Sequence, residues 1–284
     1  METHGVFLLC ILLTMIESKE QEIEITHEQI KGWHPLFALP CYDQQLTEPF
    51  FMSMLRTAMG FKDIGLKFSI STLSDSLISR ARNQLVAKFM ANPEFTHLVF
   101  IDVDLAFNPD DILKMLWHDK EIVTGAYPIK DINWEKVAKA AKNGTDPDKL
   151  LGLSTRFVVN PVRFGDDKIV VENGAIAVHD AGTGFMMIKR SAFEKMFAQY
   201  PELKYDDDTS LLSEEERKHS YALFNSYVDE DNRFLSEDYG FCRYWQKMDG
   251  DIWTDPSIEL THMGRMKYTG TLMQFLIDNA KPAD

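Results

Sequence analysis

Short apolar runs recur along the first half of the chain, each bounded by polar residues, glycine or proline. Residues 35–39 and 98–101 are apolar throughout, which is typical of strands that a sheet buries on both faces. Residues 66–71 and 122–126 have the length and composition of further strands. We therefore predict that this part of the chain contributes the strands of one sheet.

The segments between these strands have helical spacing. Residues 50–59 predict one helix, and Asn108 followed by Pro109 predicts the start of another, because asparagine caps helices and proline fits their first turn. Ser191 and Glu194 have the spacing of a capping box. One further helical face consists of Leu77, Ile78, Ala81, Leu85 and Phe89. Alternation of strands and helices predicts an α/β fold, with an open, mostly parallel sheet.

The pattern changes in the second half of the chain. Residues 169–171 and 175–179 flank Asn173-Gly174, a dipeptide that favours a two-residue β-hairpin. Residues 184–189 follow as another strand. A mostly parallel first half is therefore expected to continue into a mixed second half.

No linker separates the two halves, so we predict a single domain over residues 34–278, divided into residues 34–126 and 127–278. Residues 1–33 form an apolar and charged extension. Its apolar run, residues 5–16, is shorter than the about 20 residues of a membrane-spanning helix. A signal or anchor, a helix packed on the body and a dispensable extension remain open for it.

Composition narrows the class of protein. The chain has 284 residues, of which 45% are apolar and 26% charged, as in ordinary globular proteins. Its formal net charge of −14 argues against a nucleic-acid partner, which would be bound through bulk positive charge. Three widely spaced cysteines form neither a disulfide framework nor a zinc motif, and they fit a reducing, cytoplasmic compartment.

Two carboxylates at the end of an apolar strand are the sharpest chemical signal. Asp102 and Asp104 follow residues 98–101 at a spacing that points both to one side. Open α/β sheets bind ligands at the carboxyl ends of their strands, and adjacent carboxylates attract a divalent cation. The alternative is a pair of solvated loop carboxylates beside a helix start.

Two later segments also carry candidate chemistry. Glu237 and Asp238 open a predicted helix, where they either perform chemistry or complement the helix dipole after a capping Ser236. Adjacent helical positions point about 100° apart, so we expect one of the two acids to face a reacting centre. Further along, His262 precedes a glycine-flanked, basic stretch with Arg265 and Lys267, which can hold an anion.

Several motifs occur in a fixed order along residues 34–270. They are Asp102-Val-Asp104, Gly182-Thr-Gly184-Phe185, Glu237-Asp238-Tyr-Gly-Phe-Cys242, Asp255-Pro256 and His262-Met-Gly264. This ordered set resembles GT-A-fold glycosyltransferases of the family 2-like kind, as found in viral and bacterial genomes. The acid pair alone is moderately specific, whereas the ordered set is much more so. The resemblance implies a nucleotide-binding half, residues 34–126, and an acceptor half, residues 127–278.

The resemblance also implies roles for individual residues. Asp102 and Asp104 would hold Mn²⁺ or Mg²⁺ on the diphosphate of a sugar nucleotide, and His262 would complete the metal site. Asp238 would be the general base of an inverting reaction, with Glu237 binding acceptor or capping the helix. A nitrogen ligand beside carboxylates favours Mn²⁺ over Mg²⁺.

Other residues would contact the nucleotide, the donor sugar or the acceptor. The nucleotide and diphosphate set comprises Pro40, Cys41, Tyr42, Arg80, Asn83, Arg265 and Lys267. The segment that borders the donor sugar and the acceptor comprises Gly182, Thr183 and Gly184. Together these roles imply a metal-dependent, inverting transfer of a sugar from a nucleotide-diphosphate sugar, by default a UDP-sugar, to a hydroxyl of a glycan, lipid or protein.

Two alternatives stay open. A metal-dependent nucleotidyltransferase would use the same carboxylates, but such enzymes often have an early glycine-rich, basic phosphate loop that this sequence lacks. A non-catalytic sugar- or nucleotide-binding protein on the same fold would not require Asp238.

Overall fold

The structure is a computed structural model that describes residues 24–157, 159–164 and 168–265. Its strands are β1 (Pro35–Pro40), β2 (Ser69–Leu73), β3 (His97–Ile101), β4 (Leu105–Ala106), β5 (Ile122–Thr124), β6 (Arg163–Phe164), β7 (Lys168–Ile169), β8 (Val171–Glu172), β9 (Ala175–Val178), β10 (Phe185–Lys189), β11 (Tyr227–Val228), β12 (Phe234–Leu235), β13 (Ile252–Thr254) and β14 (Thr261–His262). Eight of them form one central sheet, and the other six form three two-stranded ribbons.

Helices flank this sheet. They are α1 (His27–Gly32), α2 (Glu48–Ile64), α3 (Ile78–Ala91), α4 (Pro109–His118), α5 (Trp134–Lys142), α6 (Pro147–Ser154), α7 (Arg190–Gln199), α8 (Glu214–Arg217) and α9 (Glu237–Gln246), with 3₁₀ turns at Tyr42–Gln44 and Pro201–Leu203. Within the described residues, no helix combines the length and the apolar character needed to cross a bilayer.

Strand order explains the mixed character of the sheet. The order is β2-β1-β3-β10-β5-β13-β9-β8. β1 pairs in parallel with β2 and β3, and β13 with β5, whereas β10 and β9 run antiparallel to both of their neighbours. Most strands of the sheet therefore share one direction. The predicted α/β fold, with a mostly parallel sheet that continues into a mixed half, is confirmed.

The alternation of side chains along β1 shows how the sheet is buried. Leu36 and Ala38 belong to one apolar cluster, and Phe37 and Leu39 belong to another on the opposite face. Helices α3, α7 and α9 contribute to the first cluster, and α2 and α4 to the second. Both faces are thus covered, which is why β1 and β3 read as continuous apolar runs.

The hairpin prediction is confirmed at its turn. Asn173 and Gly174 connect β8 and β9, with φ angles of 48° and 80°. Positive φ at both central residues is the requirement of a type I′ turn, and asparagine and glycine tolerate it best. The turn therefore fixes the register of the edge strand β8.

The capping box predicted at Ser191 is wrong. Helix α7 begins one residue earlier, at Arg190, and its N-cap residue, Lys189, makes no side-chain cap bond. The hydroxyl of Ser191 instead donates to the Glu121 carboxylate at 2.9 Å. A hydrogen bond to a charged carboxylate is stronger than one between two neutral groups, such as a serine hydroxyl and a backbone N–H.

The described part of the predicted extension includes a helix. Thr26 and Gln29 form a reciprocal capping box at the start of α1, and Ile25 and Ile30 pack against the second apolar cluster. This helix therefore belongs to the packed body of the protein. The apolar run of residues 5–16 lies outside the described residues.

His97 is buried in the sheet at the start of β3, with 6% of its surface exposed. Its Nδ1 lies 2.9 Å from the Thr96 hydroxyl. Burial, reinforced by the charge of Lys189, lowers the pKa of His97 from 6.5 to about 4. The folded protein therefore keeps this imidazole neutral at a pH where the unfolded chain protonates it.

We expect the free energy of unfolding to fall as the pH is lowered from 6.5 to 4, with His97 contributing about 3 kcal/mol of the loss. The sign follows because the unfolded state binds more protons in this range. His97→Gln should lessen that loss, as measured by urea denaturation at several pH values. The exposed His27→Gln serves as the control. An unchanged pH slope in His97→Gln would contradict the assignment.

Candidate functional site

Asp102 and Asp104 lie in the turn that directly follows β3. The backbone N–H of Asp102 donates to the carbonyl of Gly184 at 2.8 Å, and the N–H of Leu105 closes the turn on the Asp102 carbonyl at 3.0 Å. The turn is therefore held against β10 at the carboxyl end of β3. This is the edge at which open α/β sheets bind ligands.

An open cleft of about 510 Å³ lies at this edge of the sheet. It is lined by sequence-predicted residues from both halves of the chain: Pro40, Tyr42, Asp102, Asp104, Thr183, Glu237 and Asp238. Arg82, which stands between the predicted Arg80 and Asn83 on α3, lines it as well, and so does Tyr127, which the predicted site did not include. The fold thus brings residues that are up to about 200 positions apart in sequence into one concave site.

Arg82 is the cation at the floor of the cleft, with only 4% of its side chain exposed. Its Nη2 donates to Asp102 Oδ1 at 3.0 Å, and its Nε donates to Glu237 Oε1 at 3.4 Å. The guanidinium also lies over the Phe100 ring, 5.2 Å from its centroid. Its remaining nitrogen, Nη1, is buried without a hydrogen-bond partner among the described residues. That nitrogen is a donor available to a ligand.

Backbone pairing brings His262 to Asp104. β14 pairs antiparallel with β4, and the N–H of Met263 donates to the carbonyl of Asp104 at 2.8 Å. His262 Nδ1 donates to the Pro128 carbonyl at 2.8 Å, so Nε2 faces Asp104 Oδ1 across 3.5 Å. In the neutral ring, Nε2 carries no proton when Nδ1 donates, so its lone pair is a candidate metal ligand beside Asp104.

Lys130 pairs with Asp104 as well. Its Nζ lies 2.5 Å from Asp104 Oδ2. Burial alone would raise the pKa of Asp104, but hydrogen bonds from His262 and Lys130 outweigh burial and lower this pKa to about 2. Asp104 is therefore ionised at neutral pH and is paired with the ammonium group of Lys130.

The donor set fits a metal ion only in part. Asp104 and His262 converge, but Arg82 occupies one oxygen of Asp102. Over the described residues, no group of three or more His, Cys, Asp or Glu side chains is arranged to hold a metal. Mg²⁺ and similar hard cations often use one or two protein ligands and complete their shell with substrate phosphates and water. Asp104 suits that kind of site, and the His262 nitrogen beside it favours Mn²⁺ over Mg²⁺.

The first turn of α9 presents both of its acids to the cleft. Glu237 bonds Arg82, whereas Asp238 Oδ1 accepts hydrogen bonds from the Ser236 hydroxyl and from the backbone N–H of Tyr239. Ser236 is the N-cap residue, as predicted, but its side chain makes no cap hydrogen bond. Both acids line the cleft, and which of them faces a reacting centre stays a prediction. Glu237 faces the floor of the cleft because it forms an ion pair with Arg82.

Close packing against Tyr127 explains the glycines of the 182–184 segment. A Cβ atom at Gly184 would lie 2.7 Å from Asp102 Oδ2 and 2.8 Å from Tyr127 Cζ, and one at Gly182 would overlap the Tyr127 hydroxyl. That hydroxyl accepts a hydrogen bond from the Gly184 N–H at 3.3 Å. Burial, together with the charges of Asp102 and Asp238, raises the pKa of Tyr127, so it remains a neutral phenol.

Two predicted nucleotide ligands point elsewhere. The Arg80 side chain is 42% exposed and pairs with Asp75 at 2.6 Å. The Asn83 amide is used on the backbone of Phe224, donating at 3.0 Å and accepting at 2.9 Å. Neither residue is part of the cleft lining, whereas Arg82, between them on α3, is.

The remaining predicted ligands are spread around the mouth of the cleft. Pro40 ends β1 at the cleft wall, and Tyr42 lies at the opening with 65% of its surface exposed. The Cys41 thiol donates to a backbone carbonyl of its own loop at 3.3 Å and does not line the cleft. Arg265 is exposed near the end of the described chain, and Lys267 lies outside the described residues.

Comparison with known proteins gives structural likenesses alone. No family model and no curated protein matches the sequence. The crystal structure of A197 from STIV matches with a TM-score of 0.43 and 14% identity, over 82% of this chain and 86% of that one. A 4-diphosphocytidyl-2C-methyl-D-erythritol synthase from Anaerococcus prevotii matches with a TM-score of 0.33 and 10% identity, over 78% of this chain and all of the other. Likenesses at this level carry no argument about activity.

Gly184→Ala should lower the free energy of unfolding by about 1–3 kcal/mol, because the added methyl group must displace Asp102 or Tyr127. Gly152→Ala is the matched control. That glycine lies in α6 with nothing within 4 Å of an added Cβ, so alanine should stabilise by up to about 1 kcal/mol. Denaturant titration of both variants measures the difference in their free energies of unfolding. If the two variants were equally stable, Tyr127 would accommodate the added methyl group and the predicted steric cost would be wrong.

Proposed function

We propose that the protein is a metal-dependent glycosyltransferase, which moves a sugar from a nucleoside-diphosphate sugar to an acceptor hydroxyl with inversion at the anomeric carbon. The observation that supports this function best is the convergence of Asp102, Asp104 and His262 with Glu237 and Asp238 at one cleft. The order of these motifs in the sequence suggested the same activity.

The charge of the cleft supports a metal requirement. Its lining includes four carboxylates, those of Asp102, Asp104, Glu237 and Asp238. Among the described residues, the cations that pair with this acid cluster are Arg82 and Lys130. A diphosphate would add further negative charge to a site that is already acidic. A divalent cation would remove this conflict, since opposite charge within a few ångströms favours the ionised forms.

Asp104 and His262 would hold this cation, with Asp102 as a third candidate ligand. Bound there, Mn²⁺ or Mg²⁺ would act as a Lewis acid that stabilises the negative charge of the departing diphosphate. Lys130 would be released from Asp104 and would become available to a phosphate oxygen. The unpartnered Nη1 of Arg82 would donate to the donor substrate from the floor of the cleft.

Asp238 would take the proton of the acceptor hydroxyl. A hydroxyl is a poor nucleophile until a base accepts its proton, and Asp238 lies in the cleft wall with one oxygen fixed by Ser236 and Tyr239. Its other oxygen would receive the proton. Glu237, held by Arg82, would keep that guanidinium in place.

The exposed ring of Tyr42 would stack on the nucleotide base, and Pro40 would form the adjacent wall. Arg265 and Lys267 would add positive charge near the diphosphate. UDP-sugars are the default donors to screen first. A nucleotidyltransferase would use the same metal, so analysis of the products distinguishes the two reactions.

Metal dependence is the first test of this function. In thermal-shift or denaturation experiments, UDP or another nucleoside diphosphate should stabilise the protein with Mn²⁺ far more than with chelator. The gain should be about 2.7 kcal/mol at a ligand concentration of about 100 Kd. Asp104→Asn should remove most of the metal-dependent part, and the exposed Asp110→Asn should retain it. If every nucleotide stabilised the protein equally with and without metal, the proposed metal site would be wrong.

Asp238→Asn tests the base. The amide keeps the shape but accepts no proton, so kcat should fall about a hundredfold or more while metal-dependent nucleotide binding is unchanged. NMR of the product should show an anomeric configuration opposite to that of the donor. Near-normal kcat in this variant, or retained configuration, would exclude Asp238 as the base of an inverting reaction.

A further inference from the structure

A second, more enclosed cavity of about 190 Å³ adjoins the cleft. It lies where β5 and β13 end, at Thr124 and Thr254, and Val178 at the end of β9 also borders it. Tyr127 and Asp238 line both this inner pocket and the cleft. Anything bound in the inner pocket would therefore lie beside the carboxylate assigned as the base.

The walls of the inner pocket combine apolar surface with one buried carboxylate. The apolar side chains are Ala126, Ile129, Val159, Val178 and Ala181. Asp180 supplies the carboxylate. Arg243 Nη2 and Asn160 Nδ2 both donate to Asp180 Oδ2 at 3.2 Å, while Oδ1 lies 2.9 Å from the same Arg243 nitrogen and accepts no hydrogen bond among the described residues. A carboxylate accepts about four hydrogen bonds, so Asp180 retains acceptor capacity for a ligand.

We propose that the inner pocket binds a single sugar ring, with Asp180 accepting hydrogen bonds from its hydroxyls. Two carboxylates, Asp180 and Asp238, disfavour an anionic ligand, while the apolar wall suits the C–H face of a pyranose. The enclosed volume has room for one ring and not for a chain of them. This inference rests on the proposed function and specifies where its sugar binds.

The ring has two possible sources, because both the donor nucleotide and the acceptor carry sugar. The first experiment does not depend on either. Saturation-transfer NMR on the full chain, with free glucose, galactose, mannose and N-acetylglucosamine at millimolar concentration, measures binding without nucleotide or metal. We expect at least one of these sugars to bind the unmodified protein.

Two variants locate the binding. Ala126→Leu should fill the pocket from its partly exposed mouth, and Asp180→Asn should weaken hydroxyl recognition, each lowering affinity about tenfold. Ala138→Leu, on the exposed surface of α5, is the matched control and should bind as the unmodified protein does. Circular dichroism checks that each variant is folded, and either variant alone is sufficient for the test.

Nucleotides then distinguish the two sources. If the pocket holds the donor sugar, Ala126→Leu should weaken binding of UDP-glucose or another UDP-sugar about tenfold with Mn²⁺ and leave UDP unchanged. If it holds the acceptor, both affinities should be unchanged and the acceptor KM should rise about tenfold.

Saturation transfer neither to the four monosaccharides nor to the sugar protons of the nucleotide sugars would overturn the proposal, and so would binding that both variants leave intact. If the protein bound sugar but showed no metal-dependent nucleotide binding, the sugar-binding pocket would be supported and the proposed glycosyltransferase activity would be rejected.

Discussion

A buried guanidinium links the two halves of the site. Arg82, on α3, bonds the carboxylate that ends β3 and the one that opens α9, 155 residues from it in sequence. An unpaired charge in this position would cost about 3–5 kcal/mol, so Arg82, Asp102 and Glu237 are mutually dependent. The cleft has its shape because these three side chains must meet. This ion pair holds the first turn of α9, which carries Asp238, at the cleft, while Phe241, Cys242 and Trp245 pack the same helix into the core.

The two acids that follow β3 are paired with different groups. Asp102 is neutralised from below by the guanidinium, whereas Asp104 is paired from the side by Lys130 and His262. Each carboxylate of the pair thus has its own cation, and of these two cations only Lys130 lies near the surface, with 41% of its side chain exposed. A metal ion bound by Asp104 and His262, as we propose, would replace Lys130 without disturbing the core, whereas displacing Arg82 would leave Glu237 without its partner. The two acids are therefore unequal as ligands.

Local signals were sufficient to predict the parallel strands, the Asn173-Gly174 turn and the position of Asp102 and Asp104 at a strand end. The contacts of α3 were not predictable in the same way. Arg80 and Arg82 are both basic residues on one short stretch, and which of them is buried depends on how α3 is rotated against the sheet. Lys130 and Tyr127 reach the site from a loop without a motif. No local pattern indicates that a loop lysine will meet a distant carboxylate.

The cleft and the inner pocket share a wall, and the side chains of that wall affect both cavities. Tyr127 must remain neutral to stand between Asp102 and Asp238, and burial beside those charges keeps it so. A glycine at position 184 is required because the ring leaves no room for a side chain there, and the same contact holds the turn of Asp102. A change in this ring would alter both cavities together. Tyr127 therefore separates the cleft, where we propose that phosphate and metal bind, from the inner pocket, where we propose that a sugar ring binds, and Asp238 lines both.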